Sequence, residues 1–112
     1  MEEWKPVEGY EWLYQVSSIG RVKSLKFNRT WEEKLLKGRI WNWYLRVCLY
    51  KDLLHKNITI HRLIALTFIK NPEKKSCVNH INWIKTDNRV ENLEWCTAKE
   101  NSFHAVNVLK RK

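Results

Sequence analysis

His80 stands beside Asn79, and Asn92, Asn101 and His104 follow within the last third of the chain. These are residue types that can hydrolyse a phosphodiester. The reaction needs a base for the attacking water, and an imidazole of ordinary pKa near about 6.5 accepts a proton at neutral pH. It also needs a cation for the negative charge that develops on phosphate. A hard ion such as Mg²⁺ takes only one or two protein oxygens, because phosphate and water complete its shell. One histidine with two neighbouring amide or carboxylate side chains is a sufficient set.

The local pattern supplies elements that converge such groups. Val78-Asn79-His80-Ile81 reads as a strand, Asn82 to Asn92 as a polar loop and Leu93-Glu94-Trp95-Cys96 as a returning strand. Thr97-Ala98-Lys99-Glu100 has the capping-box pattern, which predicts a helix over 98–108. That helix would carry Asn101 and His104 on one face, three residues apart. Strand, loop, strand and helix make a ββα unit.

Upstream, Trp4 to Leu25 alternates on both sides of Ser17-Ser18-Ile19-Gly20, a short hairpin signal that sets Arg21 and Lys23 on one face. The polar stretch from Phe27 to Lys37 reads as a loop ended by Gly38. Trp43 to Tyr50 and Asn57 to Ile60 are rich in β-branched and aromatic residues, as paired antiparallel strands are. His61 to Phe68 has helical spacing, and Asn71-Pro72 stops it. The expected fold is small α+β: an N-terminal antiparallel sheet with a short helix, then the ββα unit.

Composition bounds the partner. The chain has 112 residues, room for one domain, and 21 Lys plus Arg against 12 Asp plus Glu give a formal charge of +9. An excess of this size points to nucleic acid. Neutralising roughly 6–10 phosphates would give strongly salt-dependent binding, largely blind to sequence. Arg21, Lys23, Lys26 and Arg29 form a candidate phosphate track, and Arg62, Lys85 and Arg89 are further expected DNA contacts, although charge runs are commonly solvated faces. No apolar run approaches the ~20 residues of a spanning helix, so no membrane partner, signal peptide or anchor is expected. Cys48, Cys77 and Cys96 are odd in number and far apart, which fits reduced core thiols in a cytoplasmic protein. Without a Cys-x-x-Cys pair no structural zinc is expected, although Cys77, His80 and Cys96 could in principle meet.

The motifs His61-Arg62-Leu63, Asn71-Pro72-Glu73, Val78-Asn79-His80-Ile81, Lys85-Thr86-Asp87-Asn88, Asn92 to Thr97, and Glu100-Asn101 through His104-Ala105 run almost continuously. This resembles the His-Asn-His (HNH) nucleases of the homing-endonuclease kind. Trp4-Lys5-Pro6-Val7, Gly9-Tyr10, Tyr14 to Ser17 and Gly20-Arg21-Val22 look like the short DNA-contacting module that often precedes them. The boundaries implied are 1–50 for that β module and 51–112 for the ββα-metal unit, within one compact domain.

The resemblance implies a metal-dependent DNA endonuclease that nicks, of the sort found in a bacterial or phage-infected cell. His80 would be the general base and Asn92 would orient its imidazole. Asn79 and Asn101 would bind one divalent cation, Mg²⁺ or Mn²⁺, with His104 either beside the metal or simply part of a polar helix face. A monomer would cut one strand, and a double-strand break would need a homodimer or two events. Two positions depart from the family pattern. Relatives commonly carry Asp where Asn79 stands, and Asp-Gly-Asn where this chain has Asn82-Trp83-Ile84. An amide removes charge from the ligand set, and Trp replaces a glycine that supplies positive φ. An exposed Trp83 could instead stack on a base. Two other readings follow: a DNA-binding module without catalysis, and a small phage-type accessory factor whose tryptophans contact a protein.

Overall fold

The computed structural model of the chain describes residues 2–25 and 32–99. Strands β1 (Trp4–Pro6), β2 (Tyr14–Ser17), β3 (Val22–Ser24) and β4 (Lys34–Leu36) pair in chain order as an antiparallel sheet. The alternation around Ser17–Gly20 thus becomes the β2–β3 hairpin, with Val16 and Val22 facing each other in the core at 0% exposure. The polar stretch read as a loop is corrected in part. Lys34–Leu36 is a strand, with Leu36 opposite Val22 and Lys34 opposite Ser24. Three residues in a charged run carry too little alternation to be recognised, and the partner that holds them lies elsewhere in the chain.

A second antiparallel sheet is made by β5 (Arg39–Trp41), β6 (Tyr44–Lys51) and β7 (Leu54–Thr59). Its two hairpins turn on Asn42-Trp43 and Asp52-Leu53, all four with positive φ. This is the backbone of a two-residue turn matched to strand twist, for which Asn and Asp suit the first position and Gly the second. Trp43 and Leu53 therefore occupy strained places. Helix α1 (Ile60–Phe68) follows directly, burying Ile60, Leu63, Ile64 and Ala65 along one face. Past its end, Asn71 brackets the chain by accepting from Lys75 N and donating to Lys75 O.

The last pair, β8 (Cys77–His80) and β9 (Leu93–Cys96), is antiparallel, with a 3₁₀ turn at Val90–Asn92 just before β9. The core is built by Val7, by Tyr14 and Val16 of β2, Val22 of β3, Val47 and Leu49 of β6, Ile64 of α1 and Leu93 of β9, among others. Burying each large aliphatic side chain stabilises the fold by roughly 1.5–3 kcal/mol. Two contacts lock the units together. Tyr14 Oη accepts from Tyr50 N at 3.0 Å, tying the first sheet to the second. Ser18 O accepts from Val90 N at 2.9 Å, tying the first hairpin to the loop between β8 and β9. Among the described residues no helix is long and apolar enough to cross a membrane. Of the three free thiols only Cys96 is buried, so the expectation of core cysteines holds for that residue alone.

Candidate active site

His80 closes β8, opposite Leu93, and is buried. Its Nε2 lies 2.8 Å from Asn88 Oδ1. With the amide oxygen as acceptor, the ring proton sits on Nε2 and the lone pair of the neutral imidazole on Nδ1. Two rings flank it: His61, from the first turn of α1, with centroids 4.8 Å apart, and Tyr44, from the start of β6, nearly parallel at 5.8 Å. Tyr44 also meets His61 at 4.9 Å, and Lys85 Nζ lies 5.2 Å from the Tyr44 centroid.

This packing removes water from both imidazoles. Burial pushes the His61 pKa down to about 4, and the neighbouring His80 and Arg62 lower it further. His80 is also shifted below its ordinary value, chiefly by burial, while the bond to Asn88 and the Asp87 charge act the other way. Both rings are therefore neutral at physiological pH, the state a proton acceptor needs.

The loop that carries Asn88 is fixed by Asn92. Asn92 Oδ1 accepts from Asn82 N at 3.0 Å, and its Nδ2 donates to Asp87 O at 2.9 Å. The ring contact expected of Asn92 is thus made by Asn88, and Asn92 reaches the imidazole through the loop backbone. Asp87 completes the brace, accepting from Asn82 Nδ2 and Arg89. The Arg89 guanidinium holds its carboxyl well below the usual range. Trp83 occupies the glycine-like position with φ +67°. It is half-buried rather than exposed, which corrects the expectation of a free stacking surface.

Asn79 lies beside His80, buried, and its Nδ2 donates to Glu94 Oε1 at 2.9 Å across the strand pair. A carboxylate can only accept here, so the amide nitrogen is committed to Glu94 and Oδ1 remains as an oxygen donor for a cation. Among the described residues no three His, Cys, Asp or Glu side chains cluster as a metal site. Helical backbone begins at Ala98, where the capping-box pattern puts it. Asn101, His104 and the rest of the expected 98–108 segment lie outside the described residues, as do Lys26 and Arg29.

The cations expected to meet DNA are already engaged. Arg21 pairs with Glu2 and Lys23 with Glu33, both lying over the Trp4 ring. Arg89 is held by Asp87 and Glu91. Arg62 donates to Ser76 O at 2.9 Å and lies over Trp95, while Lys85 lies over Tyr44. Asn88 and Tyr44 are contacts of the His80 ring that no sequence motif marks, and His61, expected to be structural, packs against the same ring.

Comparison with known proteins accords with this arrangement. Residues 2–50 match the model of the NUMOD4 motif, and residues 59–103 match the model of the HNH endonuclease. An uncharacterized HNH endonuclease of Acanthamoeba polyphaga mimivirus is 48% identical over 109 residues, covering 94% of this chain and 26% of that protein. The DNA endonuclease I-HmuI of Bacillus phage SP01 is 37% identical over 99 residues, covering 88% of this chain and 55% of that one. The solved structure of the HNH homing endonuclease I-HmuI superposes with a TM-score of 0.83 at 36% identity, over 95% of this chain and 59% of that one. The chain thus spans between about a quarter and three-fifths of the length of these relatives. With a NUMOD4 motif in its first half and an HNH domain in its second, the chain belongs to the HNH endonuclease family.

Proposed function

We propose that the protein is a DNA endonuclease that hydrolyses a phosphodiester with His80 as general base and one divalent cation, Mg²⁺ or Mn²⁺, and that a single copy nicks one strand. The observation that carries this reading is the buried, neutral imidazole of His80, fixed by Asn88 beside an amide whose oxygen is left for a cation. Asn79 would hold the ion together with Asn101, and His104 is a further candidate. When bound, the ion neutralises charge developing on the scissile phosphate and the departing oxygen. His80 takes the proton of the attacking water, a role worth about 10²–10⁴ in rate. Asn88 orients the ring, and Asn92 sets the loop from which Asn88 reaches it. Residues 1–50 serve as the DNA-contacting module and 51–112 as the nuclease unit. Supercoiled plasmid at low salt tests the reading. Relaxed circles that form with Mg²⁺ or Mn²⁺ and not with chelator are expected. Intact plasmid that is still shifted on a gel would favour a binding module without catalysis.

A further inference from the structure

Two of the three cysteines meet in the strand pair that carries His80. Cys77 opens β8 and Cys96 closes β9, and the register sets them directly opposite each other. Opposite residues of an antiparallel pair project from the same face. Two residues further along that face the side chains of Asn79 and Glu94 bond across the strands at 2.9 Å, so the cysteines are neighbours by the same geometry. Both are free thiols. Cys77 is half-buried, with Sγ 3.7 Å from Ser76 Oγ, and Cys96 is buried.

The ladder also fixes their separation. Ile81 N donates to Asn92 O at 2.8 Å, and hydrogen-bonded and non-hydrogen-bonded pairs alternate along antiparallel strands. Counted back from Ile81 and Asn92 in steps of two, Asn79–Glu94 and Cys77–Cys96 are hydrogen-bonded pairs. The Cα atoms of such a pair lie about 5.5 Å apart, and those of bridged cysteines most often lie at about 5.5–6 Å. The Cβ atoms, also about 5.5 Å apart, must come within about 4.5 Å for a disulfide. The bond therefore forms at the cost of a shift of about 1 Å, and the strain it stores makes it easy to reduce. A labile bridge of this kind is a reversible modification rather than a permanent staple.

We propose that Cys77 and Cys96 form a site of reversible oxidation, closed by a small-molecule disulfide of the glutathione type. The Cys77 sulfur, the more accessible, attacks one sulfur of the small disulfide and releases one thiol. The Cys96 sulfur then attacks Cys77 Sγ and releases the second. Two protein thiols are oxidised to one S–S bond, the small disulfide is reduced to two thiols, and each cysteine proton leaves on a departing thiol. The ring so closed, residues 77–96, contains His80, Asn88 and Asn92, so the bridge ties together the strands that hold the candidate site. The test incubates the native chain with oxidised glutathione, blocks remaining thiols with a maleimide and maps the peptides by mass without reduction. None of its readouts uses DNA, so it stands apart from the endonuclease reading. A loss of two hydrogen atoms, a linked pair of peptides carrying Cys77 and Cys96, and reversal by reduced glutathione are expected. Cys48→Ser should keep the bridge, and Cys77→Ser should abolish it. Should Cys77→Ser not fold, the peptide map of the wild type decides alone. Cys77 and Cys96 both alkylated after oxidation, a glutathione adduct that stays on Cys77, or a bridge that forms only in urea would overturn the proposal.

Discussion

The imidazole of His80 is bonded not to a residue of its own strand pair but to Asn88, 2.8 Å from Nε2, in the middle of the loop that connects β8 to β9. The imidazole proposed as the base is therefore only as well placed as that loop. Asn88→Ala should fold, bind DNA as the wild type does, and nick on the order of 10–100-fold more slowly, since small misplacement of a reacting group costs rates of this size. Asn88→Asp would set a carboxylate against the ring and raise the His80 pKa. The acid limb of its pH–rate profile should then move to higher pH, which single-turnover nicking across pH would read.

The loop is also held from the other half of the chain. Gly20, at φ +94°, packs so closely that a Cβ there would lie 2.8 Å from the Asn88 carbonyl group. Gly20→Ala combines strain from positive φ with overpacking, and should destabilise by on the order of 3 kcal/mol. Because the clash falls on Asn88, nicking should drop further than the unfolded fraction explains. Urea unfolding together with a nicking assay separates the two effects.

His61 makes folding stability depend on pH. Its pKa is about 4 in the folded chain against an ordinary 6.5, so between these values the unfolded state binds more protons. Its contribution is complete above about pH 6.5 and is lost as pH falls towards 4, amounting to about 3 kcal/mol. Denaturant midpoints should decline over that window. His61→Phe should flatten the decline while keeping the packing against Tyr44.

In the proposed mechanism Asn79 gives the ion an amide oxygen where a carboxylate would bind more strongly. Asn79→Asp should lower the Mg²⁺ concentration needed for half-maximal nicking. It also loses the donor to Glu94, so a melting temperature lowered by like-charge repulsion between the two carboxylates should accompany the gain. An unchanged Mg²⁺ requirement would remove Asn79 from the ligand set.

Much of this architecture was legible in the sequence because its signals are local. The apolar spacing of Leu63, Ile64 and their neighbours places α1 to within a residue, and alternation places β8 and β9. The Trp83 backbone was foreseeable too, since the position calls for positive φ whatever residue fills it. The missed features are relations between distant residues. Tyr44 meets His80 across 36 positions, and nothing in the period of either strand records it. Asn88 sits among polar residues where a side chain bonded to its own loop is the ordinary reading. The ion pairs of the charged track are relations of the same kind: Arg21 and Lys23 look free in sequence, and only the fold brings Glu2 and Glu33 to them. Lys34–Leu36 and Arg39–Trp41 are short strands whose pairing comes from their partners rather than from their own pattern.

The central claim is that His80 is the base of a metal-dependent cut. We would compare wild-type protein and His80→Ala on supercoiled plasmid with Mg²⁺, having shown by circular dichroism and duplex binding that the variant folds and still binds. The account predicts metal-dependent nicking by the wild type and a rate lower by about 10²–10⁴ in the variant at unchanged affinity. Equal nicking by the two proteins would contradict it.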